Sequence, residues 1–170
     1  STKKNILSLA SIFGEDGTKK AKSELATLDK EIQTVVAANE KSNKNALAMM
    51  LNEGAISAFG AKSRFAFLYS TLKFKLTDAK IKESRHGQEV SFESIKQINP
   101  DIIFVLNRTL AIGGDNSANK DLLNNSLIQE TNAAKNKTIV NLTSDLWYLS
   151  GGGLESTKLM IEDVKNVAGK

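Results

Sequence analysis

Pro100-Asp101-Ile102-Ile103-Phe104-Val105-Leu106-Asn107-Arg108 decides the fold class of this chain. From Ile102 to Leu106 the run is apolar without a break, and its β-branched and aromatic residues favour a strand. A strand that is apolar at every position, and not at alternate ones, must be covered on both faces. That is the condition of a parallel sheet packed between helices. Pro100, the only proline, stands just before the run, where its missing N–H leaves the ladder intact. Two more segments read the same way. They are Ala46-Leu47-Ala48-Met49-Met50-Leu51, closed by the turn residues Asn52-Glu53-Gly54, and Thr138-Ile139-Val140-Asn141-Leu142.

Around these strands the apolar residues recur at helical spacing. Ile6, Leu9, Ala10 and Phe13 share one face ahead of a break at Gly14 and Gly17. Leu25, Leu28, Ile32, Val35 and Val36 then mark one long helix over 21–39. Further helices are predicted at 63–72, 91–98, 120–134 and 153–167. Strands alternating with helices give an α/β fold: a mostly parallel sheet flanked by helices and preceded by a long helix. In such sheets ligands sit beyond the carboxyl ends of the strands. The expected ligand loops are therefore 52–60, 107–114 and 144–153.

With 170 residues the chain is long enough for one substantial core and too short for two full domains. No apolar run approaches the ~20 residues that span a bilayer. Ser1-Thr2-Lys3-Lys4-Asn5 leads into an amphipathic segment and not a secretory core, so a targeting signal is expected to lie outside these residues. There is no cysteine, which excludes disulfides, thiolate metal sites and cysteine nucleophiles within the chain, and supplies no cysteine for a lipid anchor. The net charge of +4 favours an anionic ligand. Lys and Arg are interspersed with Asp and Glu, however, and form no basic stripe for nucleic acid.

His86 is the only histidine and lies in the polar stretch Ser84-Arg85-His86-Gly87-Gln88. Alone, and with no cysteine to assist, it makes no zinc site and reads as a surface side chain. Trp147-Tyr148-Leu149-Ser150-Gly151-Gly152-Gly153 is more unusual. Its glycines either let backbone approach something bulky or simply open the last helix. As a phosphate cradle the segment matches neither the dinucleotide fingerprint nor the P-loop. Arg108 ends a strand where a side chain projects into the ligand crevice, and Arg64 follows Gly60 at a helix start. Either arginine suits an anion contact or an ordinary ion pair. No carboxylate pair or serine elbow argues for catalysis. The residues by themselves reach an α/β domain with candidate anion-binding loops.

Four segments taken in order go further. They are Ala55-Ile56-Ser57-Ala58-Phe59-Gly60-Ala61-Lys62-Ser63-Arg64-Phe65, Ser84-Arg85-His86-Gly87-Gln88-Glu89-Val90-Ser91, Asn99-Pro100-Asp101 through Asn107-Arg108, and Asp145-Leu146-Trp147-Tyr148-Leu149-Ser150-Gly151-Gly152-Gly153. Together they resemble the siderophore-binding lipoproteins of bacterial ABC iron importers, in the subgroup that handles catecholate siderophores. The likeness covers nearly the whole chain but only the C-terminal portion of such a protein. It implies two α/β lobes joined by a rigid helix. Residues 1–44 would then be an N-terminal remnant and the connecting helix, and 45–170 the C-terminal lobe, with the N-terminal lobe outside the chain.

Carried over by position, the family's His–Tyr iron-binding pair falls on His86 and Tyr148, and its anion-facing arginines on Arg64 and Arg108. Trp147 either lines the ligand pocket or packs beneath the Tyr148 loop. The implied function is capture of a ferric catecholate siderophore for ABC permease subunits. The implied protein is a monomer, lipid-anchored at the extracellular face of the cell membrane, without enzyme activity or a nucleic-acid partner. It carries no tightly bound cofactor, since ferric iron arrives inside the ligand. Haem is the alternative ligand, because His and Tyr also serve as axial ligands of haem iron. A nucleotide-using enzyme built around Gly151-Gly152-Gly153 is a third reading.

Overall fold

The computed structural model describes residues 15–61, 65–77, 81, 87–119, 121–149 and 153–170, the side chains of 15–18 and 149 excepted. Helix α1 (Glu15–Glu40) leads into strand β1 (Asn45–Asn52), which a tight turn joins to β2 (Ala55–Phe59). After a π-helical turn (Phe67–Thr71) come β3 (Lys75–Leu76), β4 (Gln88–Glu89), α2 (Phe92–Ile98), β5 (Ile102–Asn107) and the one-turn helix α3 (Arg108–Ala111). Two 3₁₀ turns and the short helices α4 (Ser126–Gln129) and α5 (Asn132–Lys135) lead to β6 (Ile139–Asn141). Helices α6 (Ser144–Leu149) and α7 (Leu154–Val164) follow.

The described strands form one mixed sheet of order β4-β2-β1-β5-β6, with β3 paired to the start of β1. Strands β1, β5 and β6 run parallel, with Ala48 opposite Phe104 and Phe104 opposite Val140. The two-residue period of a strand sorts their side chains between two cores. Ala46, Ala48 and Met50 of β1, with Ile102, Phe104 and Leu106 of β5, share one cluster with Leu28 and Val35 of α1 and Ile161 and Val164 of α7. Leu47, Met49, Leu51, Ile103 and Val105 share the other with Ile95 of α2, Ile128 of α4 and Ala133 of α5. Every residue of Ala46 to Leu51 and of Ile102 to Leu106 is buried. The unbroken apolar runs therefore have their expected cause: each large side chain removed from water contributes roughly 1.5–3 kcal/mol on either face.

Helix α1 docks on this sheet. Leu28 and Val35 enter the core, and Ala21 and Leu25 pack with Leu154 at the start of α7. Buried Asn39 pins its last turn, donating from its amide to the Leu72 carbonyl at 2.8 Å and accepting from the Gly169 N–H at 3.1 Å.

Three expectations are corrected. Residues 52–60 are not one loop: Glu53 and Gly54 take positive φ of 50° and 84°, and Ala55–Phe59 turns back antiparallel on β1. Positive φ at both central residues is the demand of a two-residue type I′ hairpin, whose twist matches that of the strands. The helix expected over 120–134 is broken. The side chains of Asn125 and Thr131 accept from the N–H groups of Leu127 and Ala134 and start α4 and α5 afresh. The loop expected at 144–153 begins instead as helix α6. The apolar face at 6–13 and the start of the helix expected at 63–72 lie outside the described residues.

Candidate functional site

Strands β1, β5 and β6 end on one edge of the sheet with Asn52, Asn107 and Asn141 as their last residues. The segments that follow them carry the site. Asn107 caps α3, its Oδ1 accepting from the Leu110 N–H at 3.0 Å, so that Arg108 leaves the strand at the rim. Helix α6, which starts just past β6, brings Tyr148 to the same place. Arg108 Nε–H donates to the Tyr148 hydroxyl at 2.9 Å, and the guanidinium carbon lies 5.6 Å from the centre of its ring. Arg108 Nη1 donates to Asn52 Oδ1 at 3.1 Å. One half-buried arginine thus joins the carboxyl end of β1 to the helix that follows β6.

Helix α6 is anchored from α7. The Asp163 carboxylate accepts from the Trp147 indole N–H at 2.7 Å, from the Thr143 N–H at 2.9 Å and from the Thr143 hydroxyl at 3.0 Å. The Trp147 ring meets Phe67 at 6.2 Å with a 58° tilt. Of the two expectations for Trp147, these contacts are those of packing; they fix the turn of helix that presents Tyr148.

Amides and a hydroxyl brace the rim around the arginine. Thr109 donates to Asn52 Oδ1 at 3.3 Å and accepts from the Glu53 N–H at 2.9 Å. Asn107 donates to Asn116 at 2.6 Å, and Asn119 donates to Asn107 at 3.1 Å while accepting from the Gly54 N–H at 2.7 Å. Asp115 caps the next turn, and the Ser117 backbone N–H on its oxygen holds that carboxyl below its usual range. Leu110 and Ile112 stand exposed beside Arg108. The rim therefore offers a positive fork, a phenol and apolar side chains, which together suit an anionic, oxygen-rich, partly aromatic ligand.

The structure brings Arg108 and Tyr148 together, while Trp147, next to Tyr148 on α6, packs against Phe67 and Asp163. Arg64, His86, Gly151 and Gly152 lie outside the described residues. Gly153 is an ordinary helix start at φ −68°, its carbonyl accepting from Thr157 N–H and Oγ1–H, both at 2.9 Å. Gly87, next to His86, takes φ +76°, and a Cβ there would fall 2.8 Å from the Phe59 ring and 2.9 Å from the Ala58 carbonyl. Only glycine fits that approach. Reasoning from sequence missed Asn52, Thr109 and Asp163. For Asn52 the signal was present, since an asparagine closes an apolar strand there as Asn107 does.

The family model described as periplasmic binding protein matches residues 1–146. The petrobactin-binding protein YclQ of Bacillus subtilis (strain 168) is 44% identical over 166 residues, which cover 98% of this chain and 51% of YclQ. The crystal structure of the iron uptake ABC transporter substrate-binding protein PiuA from Streptococcus pneumoniae superimposes with a TM-score of 0.91 at 72% identity, covering 95% of this chain and 57% of PiuA. The periplasmic catecholate-siderophore binding protein VctP from Vibrio cholerae superimposes with a TM-score of 0.80 at 28% identity, covering 88% of this chain and 53% of VctP. The chain spans about half the length of the curated relatives it matches.

Proposed function

The chain belongs to the periplasmic binding protein family, and on that premise we propose that it is the C-terminal lobe of a receptor that binds ferric catecholate siderophores for an ABC iron importer. Residues 1–44 are its N-terminal remnant and connecting helix, and 45–170 the lobe. The observation that carries this reading is the Arg108–Tyr148 pair, 2.9 Å apart at the carboxyl edge of the parallel strands. A phenol alone is an indifferent group. A phenol held against a guanidinium at a ligand crevice is prepared to become an anionic oxygen donor.

Ferric iron is a hard cation, and phenolate is a matching ligand that the metal's own charge helps to deprotonate. Two catechols supply four oxygens to an octahedral ferric shell and leave two positions. Tyr148 fills one, and His86, as neutral imidazole, fills the other. Ferric catecholates are negatively charged, and Arg64 and Arg108 offset that charge while donating hydrogen bonds to the catechol oxygens. Trp147, packed beside Tyr148, senses occupancy through its fluorescence. The relatives' siderophore ligands support this reading over the haem one, and the relatives are binding proteins of transport, not enzymes. The protein works at the extracellular face of the membrane, held there by a lipid anchor, and hands its ligand to the permease subunits with the help of the N-terminal lobe.

Titration of the chain with the ferric complex of a linear bis-catecholamide, followed by Trp147 fluorescence, tests the proposal. It predicts saturable quenching at one complex per chain, with weaker quenching by the iron-free ligand. No quenching, or tighter binding of hemin than of the ferric complex, contradicts it.

A further inference from the structure

We propose that Asn52 is a positioning residue of this site: its carboxamide oxygen fixes the Arg108 guanidinium and, through it, the Tyr148 hydroxyl. The inference rests on the reading of Arg108 and Tyr148 as ligand-facing residues. Asn52 stands on rigid backbone. It is the last residue of β1, paired across the hairpin with Ala55, and its neighbour Leu51 is paired with Asn107 of β5. Its Oδ1 accepts from Arg108 Nη1 at 3.1 Å and from the Thr109 hydroxyl at 3.3 Å.

An arginine presents its donors in one plane. With Nη1 on Asn52 and Nε on Tyr148, that plane is set at two points, and the remaining N–H groups are left for an anion. A free arginine must surrender rotamer freedom when it meets a ligand, whereas one already held has done so on folding. An asparagine suits this role better than an aspartate. It accepts the same bond yet adds no negative charge to cancel the guanidinium in front of an anionic ligand.

The hairpin turn has supports besides the Asn52 side chain. It is held by the Thr109 hydroxyl on the Glu53 N–H at 2.9 Å and by Asn119 Oδ1 on the Gly54 N–H at 2.7 Å. The Asn119 bond is made without the Asn52 carboxamide, whereas the Thr109 hydroxyl also donates to it at 3.3 Å.

The test compares the wild-type chain with Asn52→Ala, Asn52→Asp and Tyr148→Phe in two measurements. NMR of the free chain reads solvent exchange at Arg108 Nε–H. Trp147 fluorescence reads affinity for the ferric complex of a linear bis-catecholamide, and the thermal midpoint checks folding. Asn52→Ala is expected to expose Arg108 Nε–H to exchange and to weaken binding by up to about tenfold, because the unheld arginine must then surrender its rotamer freedom on meeting the ligand. Asn52→Asp is expected to keep the N–H protected and yet to bind more weakly than Asn52→Ala, a combination that simple loss of structure does not produce. Unchanged exchange and unchanged affinity in a folded Asn52→Ala overturn the inference alone. A wild-type chain that fails to bind, or a Tyr148→Phe chain that binds as wild type does, overturns the reading of the site and with it the role of Asn52 in binding.

Discussion

Asp163 sits on α7 and makes no contact with Arg108 or Tyr148 among the hydrogen bonds described, yet its removal should disarm the site. Its carboxylate accepts three bonds, of 2.7 Å from the Trp147 indole and 2.9 and 3.0 Å from Thr143, and these hold the start and middle of α6. In Asp163→Ala the half-buried indole N–H loses its partner, a cost of about 1–2 kcal/mol. The two Thr143 bonds are exposed, and water replaces them at a cost of about 0.5–1 kcal/mol each. The whole effect is about 2–4 kcal/mol, and for a chain of this size each kcal/mol lowers the melting temperature by roughly 2–4 °C. Thermal unfolding followed by far-ultraviolet circular dichroism should show a fall of about 4–16 °C. Asp163→Asn, which keeps one acceptor oxygen, should fall between. Because α6 carries Tyr148, binding of a ferric bis-catecholamide should weaken in the same order. A variant that melts within about 1 °C of wild type refutes the energetic reasoning. One that melts low but binds normally refutes the claim that Asp163 positions Tyr148.

Gly87→Ala should destabilise the fold by about 2–4 kcal/mol in urea unfolding, because it combines a left-handed backbone with a Cβ driven into Phe59. Arg108→Lys keeps the charge, but a single ammonium does not reproduce the fork to Tyr148 and Asn52. Affinity for the ferric complex should drop about tenfold, with a stability change under ~1 kcal/mol. The Lys96–Glu130 pair, 2.7 Å apart and half exposed, gives a pH signature. The hydrogen bond from Lys96 holds the Glu130 carboxyl below its ordinary value of 4.5. Its contribution is therefore present above that value and lost as pH falls through the lowered one, and Glu130→Gln should remove this part of the acid dependence in parallel denaturation series.

The parallel strands were legible because nothing but two-sided burial explains a run such as Ile102-Ile103-Phe104-Val105-Leu106. Strand β2 was not: Ala55, Ser57 and Ala58 are small, and the Gly54 before them suggested a loop, although Glu53-Gly54 is the hairpin turn itself. Helical periodicity from 120 to 134 was real, but periodicity does not register where Asn125 and Thr131 cap the chain and restart it. At the site, Arg108 could be placed from its position at a strand end. Tyr148, 40 residues away, was reached through the resemblance and not through its spacing, and Asn52, 56 residues away, was not reached at all, since it meets Arg108 only through the sheet. Asp163 reads in the sequence as one more surface carboxylate of a helix; its duty appears only when α6 is laid against α7.

The most direct test of the central claim is the visible spectrum of the chain with one equivalent of the ferric bis-catecholamide complex, recorded for wild type and for Tyr148→Phe. A phenolate donor adds its own charge-transfer intensity to that of the catechols. The account predicts a protein-dependent change in the band for wild type, lost in Tyr148→Phe together with much of the affinity. Identical spectra and identical affinities for the two chains would contradict it.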